Sequence, residues 1–416
     1  LTEVQANYIL ELRLRQLTKY SRIELEAERD KLRQEIAELE RILGSDSALR
    51  ELVSDELAEV AEKYGNDRRT VLKTKDDMQS AIEAVSNGAS KAKKSLGLAL
   101  EIADEPCWVL LTASGILGRT VGKPMREALV DPGKRIKHDV FTSIVPTTAR
   151  GEIGAVTSMG RMVRLSVMDL VVFDDSSGTP VLTTGVKATE VVALAKGEKL
   201  VGIVPLNEVL ALATANGVIK RVNPEYPLNQ TEWDVIKLKP KDTVIAATVC
   251  SSDDNALTLV TQEAKLLTFD AAKVRPQGRA GGGIAGIKLG AQDAVIALGV
   301  TAPGSAAEVV TVTNGQDGMA SAKVTPLAEY PQKGRATGGV RAHRFLTGES
   351  KLALAWVGVG PAKAGTPGGV ARSLPTEHGS RDGSGVPLTQ AIGAVGPNYA
   401  AITEQAKMAS DGEKLF

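Results

Sequence analysis

Basic residues that recur after short turns are the side chains of this chain with the clearest chemical use. Arginine and lysine neutralise phosphate oxygens, and arginine can add two parallel hydrogen bonds to them. The candidates for phosphate contact are Arg119, Arg164, Lys220, Arg221, Lys265, Arg275, Arg279, Lys288, Lys333 and Arg335. These residue types predict binding to a polyanion. The alternative is that a basic residue after a hairpin solvates an edge strand and prevents aggregation.

A glycine-rich box lies among these cations. Glycines let a backbone approach a phosphate closely and expose its amides to the oxygens. The box consists of Gln277, Gly278, Arg279, Ala280, Gly281, Gly282 and Gly283. The stretch 332–339 repeats the pattern around Arg335. A latch that joins neighbouring sheets would need the same glycines, and the sequence leaves both interpretations open.

Other chemistries have little support. The two cysteines, Cys107 and Cys250, and the three histidines are too scattered for a disulfide framework or a zinc site, so we predict no metal site. No Ser/His/Asp set stands out, and a hairpin turn explains the acidic pair Asp253-Asp254. An enzyme that uses the centre of the domain is therefore a weak alternative.

The charge and hydropathy of the chain limit its partners and compartment. The formal net charge is zero, so a nucleic-acid surface must be a local stripe of cations. The sequence contains no apolar run of about 18 residues and no signal-peptide pattern. We therefore predict a cytoplasmic protein without a membrane partner.

The elements that position these cations are short strands in six repeated units. The units begin at 109–112, 153–157, 210–214, 257–261, 309–313 and 352–356. Equivalent threonines are Thr112, Thr157, Thr214, Thr261 and Thr313, which gives a period of roughly 45 to 57 residues. Units of this size predict an all-β, six-bladed, propeller-like disc over 104–410. The sequence does not decide between a closed ring and an open spiral.

A helical segment precedes the strands, so the predicted fold class is α + β multidomain. The helices occupy 1–66, and 67–103 is a predicted linker with several lysines. One helix carries a heptad seam of Leu25, Leu32, Ile36, Leu39 and Leu43. The seam fits either a hairpin within a globular domain or a protruding coiled-coil arm. Because the chain begins within a helical pattern, we expect it to be a fragment of a longer protein.

Two stretches near the N-terminus carry a family resemblance. They are 3–18, which reads EVQANYILELRLRQLT, and 63–70, which reads KYGNDRRT. With these stretches, 1–72 resembles the coiled-coil end of the A subunit of bacterial type II topoisomerases. The resemblance implies a homodimer contact at the exit gate, through Tyr8, Leu12, Leu14 and Leu17. It also implies that the six repeats form a β-pinwheel that binds and bends double-stranded DNA.

The resemblance further implies a role in ATP-dependent passage of one DNA duplex through another, in a nucleoid-associated enzyme. The catalytic tyrosine would lie upstream, so this chain alone is expected to be inactive. Mg²⁺ and ATP would enter through the B subunit, and this chain itself would hold no cofactor. The first repeat lacks the basic, glycine-rich box of gyrase and reads Val130–Lys137 instead. The chain therefore resembles the A subunit of topoisomerase IV; the alternative is a divergent gyrase A subunit.

A second class of function stays open at this stage. Six repeats with no net charge also fit a β-propeller on a helical stalk that binds another protein. Binding to duplex DNA that falls steeply with salt would favour the nucleic-acid function.

Overall fold

The computed structural model describes six ranges of the chain. They are 2–11, 19–65, 104–121, 135–174, 181–315 and 320–397. The chain divides into two compact units, Leu1–Leu98 and Ala99–Phe416. Each unit is described separately below.

The described residues of the first unit form three helices, α1 (Glu3–Glu11), α2 (Lys19–Gly44) and α3 (Asp46–Tyr64). Ser45 caps α3, because its hydroxyl accepts a hydrogen bond from the Ala48 amide at 3.3 Å. The helices α2 and α3 contact each other. The sequence-predicted helices over about 21–43 and 48–64 are therefore confirmed, with boundaries within two residues.

The apolar seam of α2 is open to solvent within this chain. The exposed fractions of Leu25, Leu32, Ile36 and Leu39 lie between 51% and 57%. Among the described side chains of α1, α2 and α3, only Ala48 is buried. An amphipathic helix of this length gains most of its stability from packing, and the described residues of this chain leave the seam uncovered. Of the predicted dimer contacts, Tyr8 is exposed, and Leu12, Leu14 and Leu17 lie outside the described residues.

The second unit consists of short β-strands. The first twelve are β1 (Pro106–Thr112), β2 (Ile116–Arg119), β3 (Phe141–Thr148), β4 (Glu152–Thr157), β5 (Arg161–Ser166), β6 (Val186–Lys187), β7 (Leu200–Pro205), β8 (Leu210–Thr214), β9 (Val218–Val222), β10 (Glu232–Asp234), β11 (Val244–Val249) and β12 (Ala256–Thr261). The others are β13 (Lys265–Asp270), β14 (Ile284–Ala285), β15 (Val295–Thr301), β16 (Ala307–Thr313), β17 (Ser321–Pro326), β18 (Val340–Arg341), β19 (Leu352–Val359), β20 (Lys363–Gly365), β21 (Ala371–Arg372), β22 (Val386–Pro387) and β23 (Ala394–Gly396). A short helix, α4 (Ala188–Val191), follows β6.

These strands form six small antiparallel sheets, which we call blades 1 to 6. Five blades have four strands, and blade 6 has three among the described residues. From the inner to the outer strand the orders are β3-β1-β2-β6, β7-β4-β5-β10, β11-β8-β9-β14, β15-β12-β13-β18, β19-β16-β17-β22 and β23-β20-β21. The predicted fold of six blades after a helical segment is confirmed.

Neighbouring blades are interlocked through their outer strands. The chain completes the hairpin of one blade and then returns to add the outer strand of the blade before it. For example, β14 follows the β12–β13 hairpin of blade 4 but pairs with β9 of blade 3. The same order gives β6, β10, β18 and β22 to their blades. Each crossover loop therefore runs along the outer edge between two blades.

The inner strands form a closed circuit. The strand pairs β3–β7, β7–β11, β11–β15, β15–β19, β19–β23 and β23–β3 are all in contact. At the seam between the first and last blades, the His138 amide donates to the Gly369 carbonyl at 2.7 Å. The Arg135 guanidinium donates to the Ala364 carbonyl at 2.8 Å and also pairs with the buried Asp139. The unit is therefore a closed ring, a choice that the sequence left open.

Four of the five repeated threonines close hairpin turns through their hydroxyl groups. The hydroxyls of Thr112, Thr214, Thr261 and Thr313 each accept a hydrogen bond from the first residues of the next strand, at 2.8 to 3.2 Å. The carbonyl of Thr214 also accepts from the Gly217 amide at 3.0 Å. Because Gly217 has a φ of +78°, the turn favours glycine at this position. The spacing of the threonines in the sequence is thus the spacing between equivalent hairpin turns of successive blades.

The predicted start of the sixth repeat is wrong. Residues 352–356 belong to β19, which is the inner strand of blade 5. Blade 6 begins at β20, and its turn threonine is Thr366, whose hydroxyl accepts from the Val370 amide at 3.1 Å. Inner strands have the same apolar alternation as the strands that start a blade, so periodicity alone could not separate them.

Candidate nucleic-acid interface

The predicted box is the crossover loop between β13 of blade 4 and β14 of blade 3. The Gln277 amide donates to the Arg221 carbonyl at 2.9 Å, and the Gln277 side chain accepts from the Gly283 amide at 3.2 Å. Gly283 has a φ of +74°, and a Cβ there would lie 2.8 Å from the Ile219 carbonyl. The Arg279 side chain is exposed at the outer edge. The loop is therefore a latch between blades that also presents an arginine to solvent.

A buried lysine holds this loop. Lys220 of β9 is fully buried, and its ammonium donates to the carbonyls of Val235, Arg279 and Gly281 at 2.7 to 2.8 Å. A lysine ammonium has three N–H donors, so all three are used. Burial lowers the pKa of Lys220 to about 8.

Two further crossover loops have an arginine and a glycine at the same positions as the first. The loop 333–339 joins β17 of blade 5 to β18 of blade 4, and 379–385 joins β21 of blade 6 to β22 of blade 5. In each loop an arginine stands five residues before the outer strand, namely Arg279, Arg335 and Arg381. In each, a glycine directly before that strand packs against the backbone of the neighbouring strand: Gly283, Gly339 and Gly385. We call 277–283, 333–339 and 379–385 the three box loops.

The third box loop was not predicted from the sequence. It reads Gly379-Ser380-Arg381-Asp382-Gly383-Ser384-Gly385 and resembles the first in little more than its arginine and glycine spacing. Its lysine is Lys323 of β17, which is 2% exposed and donates to the carbonyls of Ser380, Arg381 and Gly383 at 2.8 to 3.0 Å. The signal that could have found it is this spacing, counted back from the outer strand.

Equivalent backbone hydrogen bonds link each box loop to the segment after the preceding outer strand. The Lys237 amide donates to Gly281 at 3.2 Å, the Lys288 amide to Thr337 at 3.0 Å, and the Arg344 amide to Gly383 at 3.0 Å. These three donors stand three residues after β10, β14 and β18, and all three side chains are exposed. Cations therefore alternate along one edge across blades 2 to 5. We call this set the rim cations: Lys237, Arg279, Lys288, Arg335, Arg344 and Arg381.

Acidic groups weaken the positive rim at its far end. The Arg381 amide donates to the Glu329 carboxylate at 3.0 Å, and Asp382 lies next to Arg381 in the chain. Arg335 is half-buried because its guanidinium also binds the Ala285 carbonyl of the neighbouring outer strand. The first two box loops carry no acidic residue, and of their two arginines Arg279 is the more exposed.

Three of the predicted phosphate contacts are interior residues, and this corrects the sequence prediction. The exposed fractions of Arg119, Lys220 and Arg221 are 8%, 0% and 2%. The Arg221 guanidinium binds the Cys250 carbonyl at 3.1 Å and pairs with Asp253. Asp253 lies in the connection between β11 of blade 3 and β12 of blade 4, so the predicted hairpin turn at Asp253-Asp254 is wrong. Blades cover both faces of these strands, so a charged side chain there packs between blades.

Arg164 is also engaged within the protein. Its guanidinium pairs with Glu152 at 2.6 Å, donates to the Pro227 carbonyl at 2.7 Å, and lies 5.2 Å from the centre of the Trp233 ring. Arg164 occupies the same strand position as Arg119 and Arg221, as the recurrence predicted. The prediction that these side chains face a ligand at the rim was wrong.

The remaining predicted residues lie where a ligand could reach them. Arg275, Arg279, Lys288 and Lys333 are exposed, and Lys265 and Arg335 are half-buried. Lys265 of β13 lies opposite Arg341 of β18 in the antiparallel ladder at the outer edge of blade 4. Their contact with a nucleic acid stays a prediction.

The described part of the chain offers little for other chemistries. Within it, no group of three or more His, Cys, Asp or Glu side chains could hold a metal ion. Its helices include none with the length and apolar character needed to cross a membrane.

The fold defines the class of this protein: a closed, six-bladed β-pinwheel with interlocked outer strands. A crystal structure of the C-terminal domain of DNA topoisomerase IV has the same fold, with a TM-score of 0.57 and 18% identity. The match covers 74% of this chain and 99% of that one.

Sequence comparisons narrow the class to a family. The family "DNA gyrase C-terminal domain, beta-propeller" matches 256–302 and 320–349. The A subunit of DNA gyrase from Mycobacterium bovis is 28% identical over 352 residues, which cover 81% of this chain and 38% of that protein. Its counterpart from Staphylococcus epidermidis is 26% identical, with coverage of 82% and 37%. The chain is therefore similar to the C-terminal part of the A subunits of bacterial type II topoisomerases. It spans under two fifths of the length of these relatives.

Proposed function

We propose that this chain is the DNA-binding and DNA-bending part of a type II topoisomerase A subunit. The observation that carries the proposal is the threefold repeat of the box loops, each of which presents an arginine next to the cation of the neighbouring segment. Their equal backbone hydrogen bonds place them in series along the outer edge. A row of cations on a convex edge suits a duplex that follows the edge.

Binding would be driven by phosphate contacts and counterion release, without reading of bases. Bending a short duplex costs on the order of several kcal/mol. Six rim cations, one of them next to Asp382, offset a modest bend better than a full wrap. This favours a topoisomerase IV-like role over strong gyrase-like wrapping, and the chain's 28% identity to a gyrase subunit keeps the divergent gyrase alternative.

The whole enzyme would supply the remaining chemistry. In that assembly two A subunits form a homodimer, for which the exposed seam of α2 and Tyr8 offer an interface. The B subunit binds ATP and Mg²⁺, and double-strand passage uses a catalytic tyrosine of the A subunit that lies outside this chain. We therefore expect the chain alone to bind duplex DNA without cleaving it, in the bacterial cytoplasm at the nucleoid.

Fluorescence anisotropy with a labelled duplex across a salt series tests the proposal. The unsubstituted chain should bind, and its affinity should fall steeply with salt. Arg279→Ala, Arg335→Ala and Arg381→Ala combined should weaken binding and reduce the slope of log affinity against log salt by about three. Lys351→Ala, an exposed lysine before the inner strand β19, serves as the control. Absent or salt-insensitive binding would contradict the proposal and favour a protein partner.

Sealing a nicked circle in the presence of the chain separates bending from chiral wrapping. A bend alone leaves the linking number unchanged, whereas a gyrase-like wrap shifts it. A cleavage product in the same assay would contradict the expected inactivity of the chain.

A further inference from the structure

Two buried lysines have no role in the proposed DNA contact, yet each is bonded to a loop that carries a rim arginine. Lys220 and Lys323 occupy the same position in blades 3 and 5, opposite Leu212 and Thr311, two residues before the turn threonine. Each ammonium has three carbonyl acceptors. Two of the acceptors of Lys220 and all three acceptors of Lys323 lie within a box loop. The pairing of a buried ammonium with an arginine-bearing loop thus occurs twice in this ring.

We propose that Lys220 and Lys323 are positioning residues for the nucleic-acid rim: each ammonium fixes the box loop whose arginine binds phosphate. The inference rests on the proposed function and adds the residues that set the geometry of the site. Lys220 bonds directly to the carbonyl of Arg279, and Lys323 bonds to the carbonyl of Arg381. The backbone that carries each arginine is therefore held at the residue itself.

The chemistry of the contact supports this role. A charged donor makes stronger hydrogen bonds than a neutral one, and three carbonyls match three N–H groups without a competing counter-ion at Lys220. Box loops are rich in glycine, so their backbone would otherwise sample many conformations. An ammonium in the interior costs desolvation energy, and a simple apolar side chain would fill the space at lower cost. The contacts with the loops explain why a lysine stands there.

Blade 4 provides an internal comparison. At the same strand position it has Leu267, which is buried opposite Leu259, and its box loop 333–339 is held through the Lys333 amide and the Thr268 carbonyl at 2.9 Å. Among the three box loops, two are therefore tied by a buried ammonium, and the third is tied by backbone hydrogen bonds and the Arg335 guanidinium. Leu267→Met is a matched control for Lys220→Met, because both place the same side chain at one strand position.

A double-mutant cycle on the whole 416-residue chain tests the inference. Lys220→Met should weaken duplex binding by roughly three- to tenfold, comparable with Arg279→Ala. In the Arg279→Ala background the same substitution should have little further effect, because the lysine acts through that arginine. Leu267→Met should leave affinity unchanged. Equal, additive losses in both backgrounds would overturn the inference.

Hydrogen exchange gives a readout that does not depend on DNA. Lys220→Met should speed amide exchange in 277–283 while the strands of blades 1 and 2 keep their protection, and Lys323→Met should do so in 379–385. Unchanged exchange in the box loops would overturn the latch itself. If the latch is seen but the unsubstituted chain does not bind a duplex, the proposed function fails and the positioning role for DNA fails with it.

Discussion

The guanidinium of Arg221 in blade 3 pairs with the carboxylate of Asp253 at the start of blade 4. Arg221 is 2% exposed and also donates to the carbonyls of Cys250, Ala271 and Val274. Asp253, in contrast, is largely open to solvent. The arginine is thus a clamp between blades, and its backbone acceptors lie deeper than its acidic partner.

We predict that Arg221→Met destabilises the pinwheel by about 3 kcal/mol, because it leaves buried carbonyls without a donor. Asp253→Asn should cost less than about 1 kcal/mol, since the carbonyls still hold the guanidinium. Urea unfolding of both variants measures the difference. Below the unfolding transition, Arg221→Met should keep the duplex affinity of the unsubstituted chain. A selective loss of affinity without loss of stability would restore the original prediction of a DNA contact.

Much of the architecture could be predicted from the sequence, because turn chemistry is local. The turn threonines and the apolar alternation predicted the number of blades, and the heptad seam predicted the helix α2. The sixth start was misplaced because an inner strand and a first strand have the same period. The interlocked outer strands are two or three residues long, too short for any periodic signal.

Recurrence alone could not predict whether the basic side chains face solvent or the interior between blades. The recurrence correctly predicted that one register position is shared by Arg119, Arg164 and Arg221. Neighbouring blades, however, cover both faces of the strands that carry these arginines. The uninterrupted apolar run over 210–213 in the neighbouring strand was the available signal, since such a run is typical of a strand covered on both sides. The residues that remain on the rim lie in loops, where no neighbouring blade covers them.

The glycine at the end of each box loop should be intolerant of a side chain. Gly339→Ala places a Cβ 2.4 Å from the Leu266 carbonyl at a φ of +68°, so we expect a loss of about 1 to 3 kcal/mol. Gly278→Ala is the matched control in another box loop, because nothing lies within 4 Å of its Cβ. Thermal unfolding by circular dichroism compares them. Equal melting temperatures would contradict the close packing of this glycine.

Single rim substitutions should rank by how far their charge is compensated. Arg279→Ala should reduce duplex affinity more than Arg381→Ala, because Arg381 lies beside Asp382 and Glu329. We expect each to lower the salt slope by about one or less. Asp382→Asn is the opposing variant and should tighten binding. Anisotropy titrations at two salt concentrations measure the order, and a stronger effect of Arg381→Ala would contradict it.

A buried histidine should make the ring sensitive to mild acid. His343 is 2% exposed; its Nδ1 hydrogen-bonds the Thr311 hydroxyl at 2.8 Å, and its Nε2 accepts from the Gly385 amide at 3.1 Å. Burial lowers the pKa of His343 to about 4; the nearby Lys323 also lowers it, and Glu349 opposes the shift. The neutral ring is therefore the form that fits the folded protein.

The sign of the pH effect follows from this difference. Between about pH 6.5 and 4 the unfolded chain binds a proton at His343 that the folded chain does not, so stability falls as the pH is lowered through this window. The slope from this group should approach about 1.4 kcal/mol per pH unit. Urea unfolding at pH 7 and pH 5, compared between the unsubstituted chain and His343→Gln, isolates it from the titration of carboxylates. The variant should be less stable at pH 7 and should lose less between the two pH values; parallel losses in both proteins would contradict the role of His343.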